Sequence, residues 1–232
     1  MLLEVIATTA EDAWLAEQGG ADRIELITAF PEGGLTPSLG LIEEVRTRVS
    51  LPVRVMIRPH ARSFVYSRLD AETMLRDVRH VAAIPGLGLV TGMLRADGTV
   101  DEELLTELLA AAEGCPVTFH RAFDEAGDLA AAYTVLAKYP QVTDLLTSGG
   151  ANTAAPQGMA SIAGLIHRSA GGGPVVLCGS GLNIDNLPDF LARTGAKRIH
   201  LGSAVREGGD PRRPVDPAKV EEVRSLLHSW KR

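Results

Sequence analysis

Gly20-Ala21-Asp22-Arg23-Ile24-Glu25-Leu26 returns near the end of the chain as Gly195-Ala196-Lys197-Arg198-Ile199-His200-Leu201. Both copies follow the pattern G-A-x-R-I-x-L. In each, a glycine that can end a helix leads into alternating apolar residues, the mark of a helix-to-strand junction. They fall on the second and eighth of eight strand candidates, positions that both flank the first strand only if the sheet closes. The candidates are Leu2–Ala7, Arg23–Ile27, Val53–Arg58, Leu87–Leu94, Val117–Ala122, Val142–Thr147, Pro174–Cys178 and Arg198–Gly202. Helical patterns separate them at Ala10–Gln18, Ser38–Val49, Ala71–Ala83, Asp101–Ala112, Asp128–Lys138, Ala160–Arg168 and Asp185–Arg193, with Pro217–Trp230 last. Thr36-Pro37-Ser38 and Asp216-Pro217 have the chemistry of helix starts, and Gly19, Gly114 and Gly195 that of helix ends. Eight βα units predict an α/β fold, a single (β/α)8 TIM barrel; the rival doubly wound sheet usually has fewer strands. No linker or low-complexity tract interrupts residues 1–232, so one domain is expected.

The 232 residues are 45% hydrophobic and 22% charged, an ordinary globular composition. The net charge of −6 offers no general attraction for nucleic acid or an anionic membrane surface, and neither is expected as a partner. The longest uncharged stretch, Leu145–Ile166, contains Pro156, Asn152 and several glycines and does not read as a membrane span. Glu4 lies where a secretory leader would begin its apolar run, and two cysteines, Cys115 and Cys178, are too few for a disulfide framework. A reducing, cytoplasmic location is the expectation.

Strand alternation separates the side chains that face the barrel interior from those that face the helices. It turns Glu4, Ile6, Glu25, Arg54, Met56, Arg58, Thr118, His120, Arg198 and His200 inward, whereas barrel interiors are usually filled by branched apolar residues. Two readings stay open. The inward charges form a packing network, for example Glu25 with Arg58. Or they form an active site at the C-terminal ends of the strands, with Glu4 or Glu25 as general base, His120 and His200 as acid or base, and Arg58 as an electrostatic clamp. The loops after strands 6, 7 and 8 carry Thr147-Ser148-Gly149, Gly179-Ser180-Gly181 and Gly202-Ser203-Ala204. These small residues suit either a phosphate cradle or plain tight turns. Arg58, His60, Arg62 and Arg68 add positive charge near the strand 3 loop, so a small anionic molecule is the expected ligand. None of Lys138, Lys197, Lys219 and Lys231 is expected at the mouth, which argues against Schiff-base chemistry. Cys178 is expected near the mouth and Cys115 at the opposite end.

Six segments in fixed order carry a family resemblance: Gly19–Leu26, Glu32-Gly-Gly-Leu-Thr-Pro-Ser38, Val55-Met-Ile-Arg-Pro59, Phe64-Val-Tyr-Ser67, Val117-Thr-Phe-His-Arg-Ala-Phe-Asp124 and Leu146-Thr-Ser-Gly149. Over Leu3 to about Arg206 the chain resembles the CutC family, long named copper homeostasis proteins. The resemblance implies a TIM barrel, a cytoplasmic protein, a homodimer or higher homo-oligomer, and a link to copper handling. It also places the cysteines of many family members where this chain has Ile6 and Ile27, and a proline where it has Cys178. Cu(I) favours thiolate and thioether donors, which leaves Cys178 and Met56, with His120 and His200 as imidazole donors. Glu4, Glu25, His120 and His200 would better suit a harder divalent metal, or none. Two functions are therefore carried forward: a barrel enzyme using acid–base chemistry on a small anion, and a Cu(I)-binding or buffering protein.

Overall fold

A computed structural model describes residues 1–230 of the chain, so Lys231 lies outside the described residues. Eight parallel strands run in chain order and close on themselves: β1 (Leu2–Ala7), β2 (Arg23–Leu26), β3 (Val53–Met56), β4 (Leu87–Thr91), β5 (Val117–Phe119), β6 (Val142–Thr147), β7 (Val175–Cys178) and β8 (Arg198–Leu201). The repeat does what closure requires: β1 pairs with β2 on one side and with β8 on the other. Glu4 is thereby in register with Arg23 of one copy and His200 of the other.

Each strand is followed by a helix: α1 (Ala10–Gln18), α2 (Leu39–Arg48), α3 (Arg68–Ala82), α4 (Glu102–Ala111), α5 (Leu129–Leu136), α6 (Met159–Ser169), α7 (Leu187–Thr194) and α8 (Pro217–Ser229). Short polar side chains start most of them. Thr9, Ser38, Asp101, Asp128 and Asp216 accept from first-turn amides, and Ser67 with Asp70 completes a capping box. Gly195 ends α7 at φ +72°, a conformation glycine adopts without steric cost.

Leu3, Val5, Ile24, Leu26, Val53, Val55, Val117, Phe119, Ile199 and Leu201 face the helices and form the main core. A smaller apolar cluster of Ile6, Ile27, Met56 and Val90, with Phe30 against it, lies inside the barrel. Strands 2, 3, 4, 5 and 8 are shorter than the sequence patterns suggested, because the last one to three residues of each pattern leave the ladder at its mouth end. Arg58 and His120 belong to those departing segments. Among the described residues, no helix is long and apolar enough to cross a membrane.

Candidate active site

Below the apolar cluster the barrel axis is a column of charge. Arg23 reaches Asp144 through both terminal nitrogens, at 3.0 and 3.1 Å, and also donates through Nε to Glu4. Arg198, the same position in the second copy of the repeat, donates to Asp144 as well. Arg54 joins them through Thr143 at 3.0 Å and Asp144 at 3.4 Å, and donates to the Pro116 carbonyl. Gly88 leaves room for it, since a Cβ there would overlap the Arg54 guanidinium. Burial is the largest single influence on Asp144 and Glu4 and opposes their ionisation, but Arg23 together with Arg198 at Asp144, and with His200 at Glu4, outweighs it. Both carboxyls are held below their ordinary range.

The upper end of the column is an acid–base pair. His200 Nδ1 lies 2.7 Å from a Glu4 oxygen, and its Nε2 lies 3.8 Å from Glu25. Burial alone would depress the His200 pKa, but Glu25 and Glu4 together raise it. Glu25 is 2% exposed and burial pushes it up to about 7, and its Oε1 has no hydrogen-bond partner. The protonation of each group depends on the other, since the His200 charge lowers the Glu25 value that burial raises, and the Glu25 charge raises that of His200. Glu25 and His200 therefore bring the two copies of the repeat together across β1, as Arg23 and Arg198 do lower down.

Above this pair opens a cavity of about 780 Å³, a size suited to a small metabolite. Glu25, Arg58, His120, His200, Gly181, Gly202 and Ser203 line it; Glu4 lies beneath, bonded to Arg23 and His200. The network imagined between Glu25 and Arg58 does not form. Arg58 instead donates to the carbonyls of Glu32 and Gly34 at 2.9 and 3.1 Å, and lies 4.7 Å over the Phe64 ring. It is 6% exposed, and no carboxylate pairs with it among the described residues. His120 packs against the same ring at 5.0 Å; burial and the nearby Arg58 charge push its pKa down to about 3.

The expected anion cradle divides. After β6 the donors do converge on an anion, but it is the chain's own Asp124. That carboxylate accepts from Ser148 N, Gly150 N and the hydroxyls of Thr147 and Ser148, and it pairs with Arg121 at 2.9 Å. Thr147, Ser148 and Gly149 are therefore not on the cavity wall. Gly149 packs against Gly158, and Gly179 makes room for His200, whose ring carbon would lie 2.9 Å from an added Cβ. Gly202 lines the cavity but also clears Phe30, which would come within 2.5 Å of a Cβ. The basic loop after β3 is likewise spent internally: His60 and Arg62 approach Asp70, and Arg68 pairs with Glu72 on the surface.

Two further expectations are corrected. Lys219 does reach the mouth, where its ammonium donates to the Arg206 carbonyl at 2.9 Å. It stands in the first turn of α8, and helix N-termini in this barrel lie at the strand C-termini. Cys178, in contrast, belongs to the outer core against the helices and does not line the cavity.

That placement decides whether the residues suit copper. Burial pushes the Cys178 thiol up, away from the thiolate that Cu(I) binds. Cys115 precedes β5 at the far end of the barrel, and Ile6 and Ile27 hold the inward positions near Met56. Among the described residues Met56 is then the only sulfur lining the cavity, which does not make a Cu(I) site. For a harder ion, Glu4, Glu25 and His200 place ligand atoms within 4.8 Å of one another. Both Glu4 oxygens are already taken, by Arg23 and by His200 Nδ1, and the Arg23 charge beside them opposes a cation. With Glu4 so engaged, the set fits a metal poorly.

Fold and site together define a (β/α)8 barrel with a charged axis and an acid–base pair beneath its mouth cavity. The CutC family model matches residues 1–205, and a family protein CutC of Klebsiella pneumoniae (strain 342) is 36% identical over 249 residues, covering 99% of both chains. The chain belongs to the CutC family. The solved structure of a protein from Streptococcus agalactiae, described as a copper homeostasis protein CutC, superposes with a TM-score of 0.80 at 28% identity, covering 86% of this chain and 97% of that one. Phosphoribosyl anthranilate isomerase from Thermotoga maritima shares the fold at a TM-score of 0.62 and 15% identity, with 99% of this chain and 100% of that chain covered.

Proposed function

We propose that this CutC-family barrel is an enzyme that transfers a proton to or from a small anionic molecule held at the mouth. The observation that carries the reading is the buried charge of Arg58, without a carboxylate partner, in the same cavity as the Glu25–His200 pair. A guanidinium hidden from water is costly unless an opposite charge compensates it, and a bound anion would supply that charge. Asp124 on the wall is already paired with Arg121, and Glu32, Glu125, Asp185 and Glu222, which also line the cavity, are exposed, so water and salt screen them. Glu25 is the general base or acid, because its pKa of about 7 lets it hold either state near neutral pH. His200, oriented by Glu4, exchanges the proton with it. Gly202 and Ser203 supply the small residues that let a ligand approach the backbone.

Inorganic phosphate is the simplest probe. In a titration followed by amide NMR, phosphate is expected to shift the Gly202 and Ser203 signals. Arg58→Met keeps an unbranched stem without the charge and should weaken binding at least tenfold. Phosphate binding that is equally strong in Arg58→Met, or that never reaches the mouth, would sink the proposal.

A further inference from the structure

The hydrogen bonding of His120 fixes its tautomer. Its Nδ1 accepts the amide N–H of Ala122 at 3.1 Å, so that nitrogen carries no proton. In a neutral imidazole the proton must then be on Nε2, which becomes a donor. Nε2 is buried and has no partner among the described residues, although the ring lines the cavity. The ring is also fixed in place. Phe64 packs on one side, and Gly92 leaves space where a Cβ would fall 2.4 Å from Nδ1. Burial and Arg58 both disfavour a second proton, so the donor is a neutral imidazole at any ordinary pH.

Glu25 Oε1 and Arg58 Nε are likewise buried without partners. The cavity thus combines an unpaired acceptor on β2 with unpaired donors after β3 and at the end of β5. Donors and an acceptor in that division are what an enolisation needs, with one group removing a proton while others receive the growing charge on oxygen. A neutral imidazole donor is well matched to an enol oxygen, whose acidity is closer to its own than that of imidazolium.

Building on the proton-transfer reading above, we infer that the substrate is a small anion bearing a ketone or aldehyde group, and that the reaction is its enolisation. The Glu25 carboxylate takes a proton from the carbon beside the carbonyl. The C–H electron pair becomes the new C=C bond, and the carbonyl π pair moves to oxygen, where His120 Nε2–H and Arg58 stabilise it. Glu25 then returns the proton to the same carbon, or to the former carbonyl carbon where the neighbouring carbon carries a hydroxyl whose proton moves to the enolate oxygen. The first outcome is exchange and the second an isomerisation, and neither requires an oxidant or a reductant.

Two measurements test this. Nitrogen NMR of the imidazole-labelled protein should show His120 with an unprotonated Nδ1 and a protonated Nε2 throughout pH 6–8. A protonated Nδ1 in that range would overturn the inference. Second, pyruvate, hydroxypyruvate and dihydroxyacetone phosphate are incubated with the protein in D2O, with malate as a control lacking the carbonyl. At least one carbonyl probe should gain deuterium beside its carbonyl at least a hundredfold faster than in buffer. Glu25→Gln should abolish the gain and His120→Ala should lower it at least a hundredfold. His120→Gln, which keeps an N–H donor and more of the ring's volume, should retain more of the rate than His120→Ala. Exchange absent from all three probes, while phosphate still binds through Arg58, overturns the carbonyl class alone. Loss of Arg58-dependent phosphate binding would instead remove the reading on which it rests.

Discussion

Glu25 is the residue whose charge state matters most, and its burial makes a pH-dependent signature. In the unfolded chain it titrates near the ordinary carboxylate value of 4.5, and in the fold it holds its proton up to about 7. Between those values the folded state binds the extra proton, so this contribution to stability is full below about 4.5 and is lost as pH rises through 7. His200, also raised, contributes in the same direction at higher pH. Glu4 and Asp144 have lowered values, so their contributions are lost only as pH falls toward the acid end. Glu25→Gln cannot ionise, and relative to it the native protein should lose about 1–3 kcal/mol of stability between pH 5 and pH 8. Urea unfolding of both proteins at the two pH values measures this. Parallel pH dependences would mean that Glu25 is ionised normally in the fold. Glu25, His120 and His200 were legible as inward residues because strict alternation needs only the neighbouring apolar side chains to set the phase. Their partners were not legible, since contacts across the barrel depend on strand order and register.

Among the elements, β6 and its loop show where period-two reading fails. Val117 pairs with Val142, whereas the next residue, Thr118, pairs with Asp144, so β6 holds one extra residue at Thr143. Such a bulge reverses the phase of alternation, and Asp144 turns inward although counting from Val142 points it at the helices. That single irregularity hid the centre of the charged column. The small residues of the loop that follows suit a phosphate cradle and a tight turn equally, and a local pattern cannot reveal that its donors converge on Asp124, 23 to 26 residues earlier. Removing this carboxylate should therefore loosen the loop. Asp124→Ala strands the amides of Ser148 and Gly150 and frees Arg121, and is expected to cost about 2–4 kcal/mol of stability. Hydrogen exchange should accelerate most at those two amides. An unchanged exchange pattern would show that the loop holds itself without Asp124.

At the level of the whole molecule, the repeat makes closing the barrel and assembling its charged axis the same event. Its two copies bracket β1, so Arg23 and Arg198 meet at Asp144 while Glu25 and His200 meet at the cavity floor, with Glu4 tied to both levels. Asp144 is fully buried and is the acceptor for three arginines, two of them themselves buried. Taking away one member of such a set leaves charges with neither water nor a partner, which costs about 3–5 kcal/mol. The exposed pair Arg193–Asp189 gives the contrast, because its side chains are 67% and 57% exposed and such pairs contribute about 0–1 kcal/mol. Asp144→Ala should therefore destabilise the barrel several times more than Asp189→Ala, and added salt should narrow the difference little, since the buried set is poorly screened. The loss should also reach the mouth. Arg23, released from Asp144, would keep only Glu4 as its carboxylate partner and compete more strongly with His200 for it, so His200 should give up its proton at lower pH. Imidazole NMR of Asp144→Ala in the folded state reads that shift. Destabilisation without any change at His200 would separate the base of the barrel from the proposed proton transfer, and the charged column would then be packing alone.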